Sequence, residues 1–296
     1  MLFQLHIDLF CNNYFFTSGK DVYTMSIQLI AMDLDGTLLK DDHMTVSQRN
    51  REALRRAAEK GVQLVLASGR TWVHLESVAG QVPFTQYALL SNGAAARDLH
   101  TDERLFTFHF PWEAFRKLLS LLHRYNAVFE TYCDGHSYLE RRITGRFDNK
   151  GLPSAFIDRL KASLTIVDNL EETLQGHVIE KVNVFSTPEE NYEPLLSALH
   201  QTDLFEISSA IIGNMEINFK GVNKGAGLEK LCNTLGIAPE NVMAFGDATN
   251  DLDMLQYADW SFAMANADAQ VKEAARYETA SNEEDGVAQA IERFIL

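Results

Sequence analysis

Two carboxylates, Asp33 and Asp35, stand two residues apart in the stretch Gln28 to Leu39, QLIAMDLDGTLL. Acids this close repel, so either a cation sits between them or one keeps a proton. They end an apolar run (Leu29 to Met32) and are followed by a glycine that permits a sharp turn. Comparable runs end in Ser68-Gly69-Arg70, in Ser91-Asn92-Gly93, and in GDATND with Asp247, Asn250 and Asp251. Lys224 stands in the first turn of the helix predicted for GVNKGAGLEKLCNTLG. Asp33, Asp35, Asp247 and Asp251 with Ser68, Asn250 and Lys224 are four carboxylates, one hydroxyl, one amide and one lysine. Oxygen ligands without His or Cys suit a hard cation, Mg²⁺ first. A hydroxyl, backbone N–H groups and a lysine suit a phosphate.

Something must bring residues so far apart in sequence to one place. A run apolar on both faces reads as a buried parallel strand, and ligands bind at the carboxyl ends of such strands in open sheets. LIAM, VQLVLA, YALL, VMAFG and WSFA are such runs. The spacing predicts a helix capped by Thr45 or Ser47, running to about Lys60 and stopped by Gly61. A second helix is predicted over Gly286 to Leu296. The fold class is therefore α/β, a doubly wound parallel sheet of Rossmann-like form. From about Leu99 the pattern changes. A helix over Pro111 to Tyr125, strands AVFETY, HSYLE and VIEKVNVFS, a helix after Pro188 and strands LFEISSA and NMEINF make a second, α+β unit inserted into the first. The expected organisation is residues 25–98 and 212–296 as core and 99–211 as insertion, with Phe106, Phe108 and Phe110 in the core of the insertion.

The chain has 296 residues and a formal charge of −15, and its pI is near 5.0. That balance argues against nucleic acid and against an anionic membrane surface as partners. No run approaches the length of a transmembrane helix. Cys11, Cys133 and Cys232 are far apart, odd in number and without a CxxC. They read as free thiols of a cytoplasmic protein, and Cys133, beside Asp134-Gly135, as a bystander. The nine histidines lack HxxxH or HxH spacing, which speaks against a histidine metal site. Residues 1–24 are aromatic-rich, have no Lys or Arg before Lys20 and are followed by Met25, a serviceable start. They are expected to be a dispensable extension rather than a signal peptide.

The motifs DLDGT (33–37), SGR (68–70), NKG (223–225) and GDATND (246–251) stand in one order and spacing. With AMANA and SNEEDGV, they make the chain resemble the haloacid dehalogenase superfamily from Met25 onward. The resemblance is specifically to the Cof-type sugar-phosphate phosphatases with an α/β (C2B) cap inserted in the core. It implies a Mg²⁺-dependent phosphatase acting through an aspartyl-phosphate. Asp33 would be the nucleophile, and Asp35 would protonate the leaving oxygen and then deprotonate water. Mg²⁺ would be bound by Asp33, the Asp35 backbone carbonyl and Asp247. Ser68 and the N–H groups of Gly69 and Leu34 would hold phosphoryl oxygens, and Asn250 would reach the phosphate. Lys224 would balance charge, and Asp251 would support the metal or the lysine from behind. A carboxylate approaching a phosphate faces repulsion of about 4 kcal/mol at ~4 Å and an effective dielectric of ~20, which a cation offsets.

Each residue alone has a plainer reading. A lone acid at a strand end is commonly a turn-former, Ser68 an ordinary turn serine and Lys224 a solvated helix-start lysine. Asn92 is either a turn-former or a substrate contact, and Arg70 either touches substrate or closes its turn. Selectivity must come from the cap, where Asp134, His136, Tyr138 and Lys181 are candidate contacts. The implied partner is a small phosphorylated metabolite, particularly a sugar phosphate, bound by a monomer or weak homodimer. A phosphomutase of the same superfamily would carry the same core motifs. A receiver-like module that merely holds a phosphoryl group is far shorter and needs no second acid at the position of Asp35.

Overall fold

The computed structural model describes residues 27–146, 154–208 and 214–296. The expected extension 1–24, with Cys11, lies outside the described residues. Residues 215–219, expected in the core segment 212–296, pair instead within the second sheet, so the core resumes only after Phe219. The chain begins with β1 (Leu29–Met32), α1 (Gln48–Glu59), β2 (Gln63–Ala67), α2 (Trp72–Ala79), β3 (Tyr87–Leu90), β4 (Ala95–Asp98) and β5 (Arg104–Thr107). It continues through α3 (Trp112–Arg124), β6 (Val128–Cys133), β7 (His136–Glu140), α4 (Ser154–Ser163), β8 (Leu164–Val167) and α5 (Leu170–Leu174). Then come β9 (Ile179–Ser186), α6 (Glu189–Thr202), β10 (Phe205–Ser208) and β11 (Met215–Phe219). The last part holds α7 (Lys224–Leu235), β12 (Val242–Gly246), α8 (Leu252–Tyr257), β13 (Trp260–Ala263), α9 (Ala269–Ala274), β14 (Tyr277–Glu278) and α10 (Gly286–Phe294).

The first sheet has the order β14-β13-β12-β1-β2-β3-β4-β5. Its first six strands run parallel, and β4 and β5 add antiparallel to one edge. All four side chains of β1 are fully buried, because helices cover both faces of a parallel sheet and each face must be apolar. Ser47 accepts the N–H of Asn50 at 3.0 Å and caps α1, and Gly61 follows the helix at φ +87°. β1 lies where the strand order reverses, with β2 on one side and β12 on the other, which is where an open sheet leaves a crevice.

The second sheet has the order β10-β11-β9-β6-β7-β8 and is antiparallel except for the β7–β8 pair. Alternation along VFETYC and IEKVNVFS gives it two unlike faces. Phe129 pairs with Val184, Thr131 with Val182 and Ile217 with Val182, and this largely apolar face joins the cluster of Phe115, Leu118, Leu122, Leu195 and Leu199 from α3 and α6. Tyr132 pairs with Ser137 and Lys181, and Asn183 with Glu130 and Glu216, on the opposite, polar face. That face is turned toward the carboxyl edge of the first sheet.

Three features depart from the sequence reading. β5 lies within the stretch expected as insertion, yet it pairs with β4, so the chain leaves the first sheet after Thr107. Phe106 accordingly packs on the core of the first sheet, and Lys230 of α7 lies over the rings of Phe106 and Phe108. Only Phe110 belongs to the apolar cluster of the insertion. The β4–β5 pair was hidden because ARD and RLFT carry polar residues on an edge hairpin. Elements α2, α4, β8 and α5 had too little apolar periodicity to be seen in the sequence. Among the described residues no helix is long and apolar enough to cross a membrane. Cys133 and Cys232 are buried free thiols.

Candidate active site

Strand register brings the acids together. Met32 pairs with Phe245 on one side and Leu66 on the other, so Asp33 lies level with Gly246 and Ala67, one residue short of Asp247 and Ser68. The Asp33 N–H donates to the Phe245 carbonyl at 3.0 Å, holding the first residue past the strand in line. Asn223 caps α7 by accepting the Ala226 N–H at 2.8 Å, and this directs the first helical residue, Lys224, at the acids. The fully buried Lys224 Nζ donates to Asp33 Oδ1 at 2.5 Å and to Asp251 Oδ1 at 2.7 Å.

Asp251 is fully engaged from behind. Its second oxygen accepts the N–H groups of Asp247 and Ala248 at 3.0 and 3.1 Å, which shapes the loop carrying Asp247. Thr37 Oγ1 donates to Asp247 Oδ1 at 2.8 Å. Carboxylate oxygens of Asp33, Asp247 and Asp251 all lie within 4.8 Å of one another. Burial pushes the Asp33 carboxyl well above the usual carboxylate range; Lys224 opposes that, while Asp251 and Asp247 add to it. Burial and then Asp251 push Asp247 up to about 7. Three acids share one ammonium, so the cluster carries surplus negative charge that a divalent cation on oxygen ligands would relieve. Asp33 and Asp247 fit such an ion better than Asp251, whose oxygens already accept from three donors.

Gly36 is required by this crowding. It adopts φ +81°, and a Cβ there would stand 2.2 Å from Asp247 Oδ2. Gly36→Ala is therefore expected to destabilise the protein by more than about 2 kcal/mol and to displace Asp247. Urea denaturation and turnover measure the two effects, and a variant of unchanged stability and activity would contradict the packing described.

Ser68 is buried, and its Oγ accepts the Arg70 N–H at 3.1 Å, leaving its own O–H free to donate toward a phosphoryl oxygen. Asn92 sits at φ +56° in the turn after β3. Its amide nitrogen donates to Glu216 Oε2 at 2.8 Å, and its oxygen lies 3.4 Å from Asn250 Nδ2. Asn92 is thus both turn-former and contact, but its partner is a cap residue.

Arg70 closes its turn through its backbone N–H on Ser68 Oγ, and its side chain has a further partner. Its Nε and Nη2 bind Asp35 Oδ2 and Oδ1 at 3.0 and 2.6 Å, a bidentate clamp. His43 Nδ1 lies 2.8 Å from the same Oδ1. Burial pushes the Asp35 carboxyl up, but Arg70 and His43 more than offset it and hold it well below the usual range. The side chain of Asp35 therefore points at a cation and an imidazole in this closed arrangement.

The polar face of the second sheet closes the site. Lys181 Nζ donates to Glu216 Oε1 at 2.5 Å, and Glu216 sits against Gly69, where a Cβ would stand 2.9 Å from Oε1. Ser91 Oγ donates to Glu180 Oε2 at 2.8 Å, Val73 N–H to the Gly135 carbonyl at 3.2 Å, and Arg159 Nη1 to Ser77 Oγ at 2.7 Å. Of the four cap candidates only Lys181 is buried at this interface. Tyr138 pairs with Thr131 on the opposite face, and His136 is exposed. Asp134 binds His177 at 2.9 Å instead. Cys133, Asp134 and His177 form a second potential ligand group that histidine spacing did not reveal. Arg104 at 3.9 Å from Asp134, and burial that pushes the Cys133 thiol up, both oppose a cation there. His43, Glu216 and the clamping role of Arg70 had no sequence signal of their own, and Thr37 stood only as the last residue of the DLDGT motif. The polar alternation of EKVN, opposite FETY, did point to the face that carries Lys181.

Comparison with known proteins agrees with this geometry. Residues 30–291 match the model of a family described as haloacid dehalogenase-like hydrolase. The chain is 32% identical over 284 residues to the 5-amino-6-(5-phospho-D-ribitylamino)uracil phosphatase YcsE of Bacillus subtilis, covering 92% of this chain and 97% of that one. It is 28% identical over 275 residues to the phosphatase YbjI of Escherichia coli, named for the same compound, covering 92% and 97%. A solved haloacid dehalogenase-like hydrolase from B. subtilis superimposes with a TM-score of 0.81 at 26% identity, covering 90% of this chain and 100% of that one. The acid cluster, the sheet edge that carries it and these likenesses agree: the chain belongs to the haloacid dehalogenase-like hydrolases and is an enzyme of their phosphatase kind.

Proposed function

We propose that the enzyme hydrolyses small phosphorylated metabolites, sugar phosphates among them, through an aspartyl-phosphate on Asp33 and with Mg²⁺ at the acid cluster. The observation that carries this reading is the cluster of buried Asp33 and Asp251 with half-buried Asp247, the first two bonded to the amine of Lys224. Asp33, Asp247 and the Asp35 backbone carbonyl would hold the ion. When bound, it supplies positive charge that offsets the repulsion between carboxylate and phosphate.

The chain's own groups do the remaining work. An Asp33 oxygen bonds to phosphorus as the ester P–O bond breaks, and water then attacks the same phosphorus to release phosphate and restore the carboxylate. The Ser68 hydroxyl, the N–H groups of Leu34 and Gly69 and the Asn250 amide hold the phosphoryl oxygens, and Lys224 balances their charge. An ionised Asp35 suits the base that takes the proton from water. To protonate the leaving oxygen in the first step, it must exchange Arg70 for a proton as substrate enters. The insertion after Thr107 acts as the lid over the leaving group. Asn250 Nδ2, which lies 3.4 Å from Glu216 Oε2, turns from it to the phosphoryl group.

The relatives named for a ribityl phosphoester make that compound one of the first to test. Phosphate release from a panel of phosphorylated metabolites, ranked by kcat/KM, is expected to be stoichiometric, abolished by EDTA and restored by Mg²⁺. EDTA-insensitive turnover would contradict the cation. Isomerised sugar phosphate without free phosphate would contradict hydrolysis.

A further inference from the structure

Where α2 meets the polar face of the cap sheet, two buried polar atoms, His74 Nε2 and Asn183 Oδ1, have no hydrogen-bond partner among the described residues. Native structures seldom leave such atoms unpaired, so orphans grouped beside a reacting centre point to a missing ligand. The two belong to one wall. The His74 ring stands edge-on to Tyr132, with centroids 5.7 Å apart. Tyr132 donates its hydroxyl to Glu130 Oε1 at 2.9 Å, and the same oxygen accepts Asn183 Nδ2 at 2.9 Å. That bond to a carboxylate fixes the Asn183 amide with its nitrogen inward, so the orphaned atom is an acceptor.

The wall adjoins the proposed phosphoryl site, since His74 lies four residues past Arg70, and Lys181 and Glu216 stand on the same cap face as Tyr132 and Asn183. Apart from Arg70, which the proposed first step frees from Asp35, its cations are paired already: Lys181 with Glu216, and Arg104 with Glu180 at 3.2 Å. Burial, then Arg70 and Lys181, push the His74 imidazole down to about 3, so it is neutral. A negatively charged leaving group would meet these satisfied pairs and the carboxylates of Glu130 and Glu216. Hydroxyl groups can serve either tautomer of the imidazole and the Asn183 oxygen.

We infer that His74, reaching from the core with Asn183 opposite it on the cap, is a specificity-determining residue that hydrogen-bonds the hydroxyls of an uncharged polyol leaving group. The inference rests on the phosphatase reading above and adds to it a residue outside the four motifs and a preference in charge. It predicts that ribitol 5-phosphate is preferred over both methyl phosphate, which lacks the hydroxyls, and 3-phosphoglycerate, which adds a carboxylate.

The test is the ratio of kcat/KM for ribitol 5-phosphate to that for methyl phosphate, measured with Mg²⁺ in the wild type, His74→Leu, His74→Gln and Asn183→Ala. The ratio is expected to fall about tenfold or more in His74→Leu and Asn183→Ala. His74→Gln, whose amide can occupy the Nε2 position, should recover most of it. An unchanged ratio in folded His74→Leu, or in Asn183→Ala should the first variant not fold, overturns this inference and leaves the phosphatase reading intact. Absence of phosphate release from every ester by the wild type overturns that reading and the inference with it.

Discussion

Asp33→Asn is expected to lower kcat for any phosphate ester by about 10⁴-fold or more while the protein stays folded. The asparagine side chain keeps the shape of the aspartate and one oxygen for the Lys224 ammonium, 2.5 Å away in the wild type. It removes a charge that burial disfavours, so the fold loses little. An amide oxygen, however, is no substitute for a carboxylate attacking phosphorus. Steady-state turnover of p-nitrophenyl phosphate, beside a thermal melt, separates chemistry from folding. More than trace turnover by a folded variant would remove Asp33 from the role of nucleophile.

Lys224→Met should have the largest effect on stability. The amine is fully buried between Asp33 and Asp251, and methionine fills its volume without its charge. Asp33, Asp247 and Asp251 would then face one another with no cation among them. Removing one partner of a buried ion pair costs about 3–5 kcal/mol, because the remaining charge is left uncompensated. The pH dependence has a definite sign. Asp247 is pushed up to about 7 in the fold, and Asp33 is also raised. An acid whose folded pKa lies above its unfolded value binds more protons folded than unfolded, so it stabilises less as pH rises through that window. The deficit of Lys224→Met relative to wild type in EDTA should therefore shrink as pH falls from about 7 to about 5. Urea denaturation at each pH measures it. A deficit that is constant or grows on acidification would show that the acids are not crowded as described.

The sequence made the core of this site readable because chemistry and topology coincide there. Each of Asp33, Ser68 and Asp247 ends an apolar run, and parallel register alone brings such ends to one edge. Lys224 could be placed because a helix start has a direction. The cap was less readable for a physical reason. Its contacts depend on which way each strand faces, and a single residue of register decides that. His136 and Tyr138 flank Ser137, the residue of β7 that does face the site, and so fall on the wrong side. Glu216 lay in MEINF, a strand whose alternation was visible but whose approach to Gly69 depends on how the lid closes. The Arg70 clamp on Asp35 joins two turns thirty-five residues apart, and no local pattern announces it. The β4–β5 hairpin was missed because an edge hairpin needs no apolar run.

Most of the proposed mechanism follows from one covalent event at Asp33. It is tested most directly by acid-quenching Asp35→Asn during exposure to p-nitrophenyl phosphate and Mg²⁺, then sequencing its peptides by mass spectrometry. Asparagine at position 35 cannot activate water, while the nitrophenolate leaves without needing a proton, so the intermediate should accumulate. The expected result is one phosphoryl group, labile to hydroxylamine, on the peptide containing Asp33 and on that residue. Release of nitrophenol with no phosphorylated peptide, or with the label on another residue, would contradict an aspartyl-phosphate at Asp33.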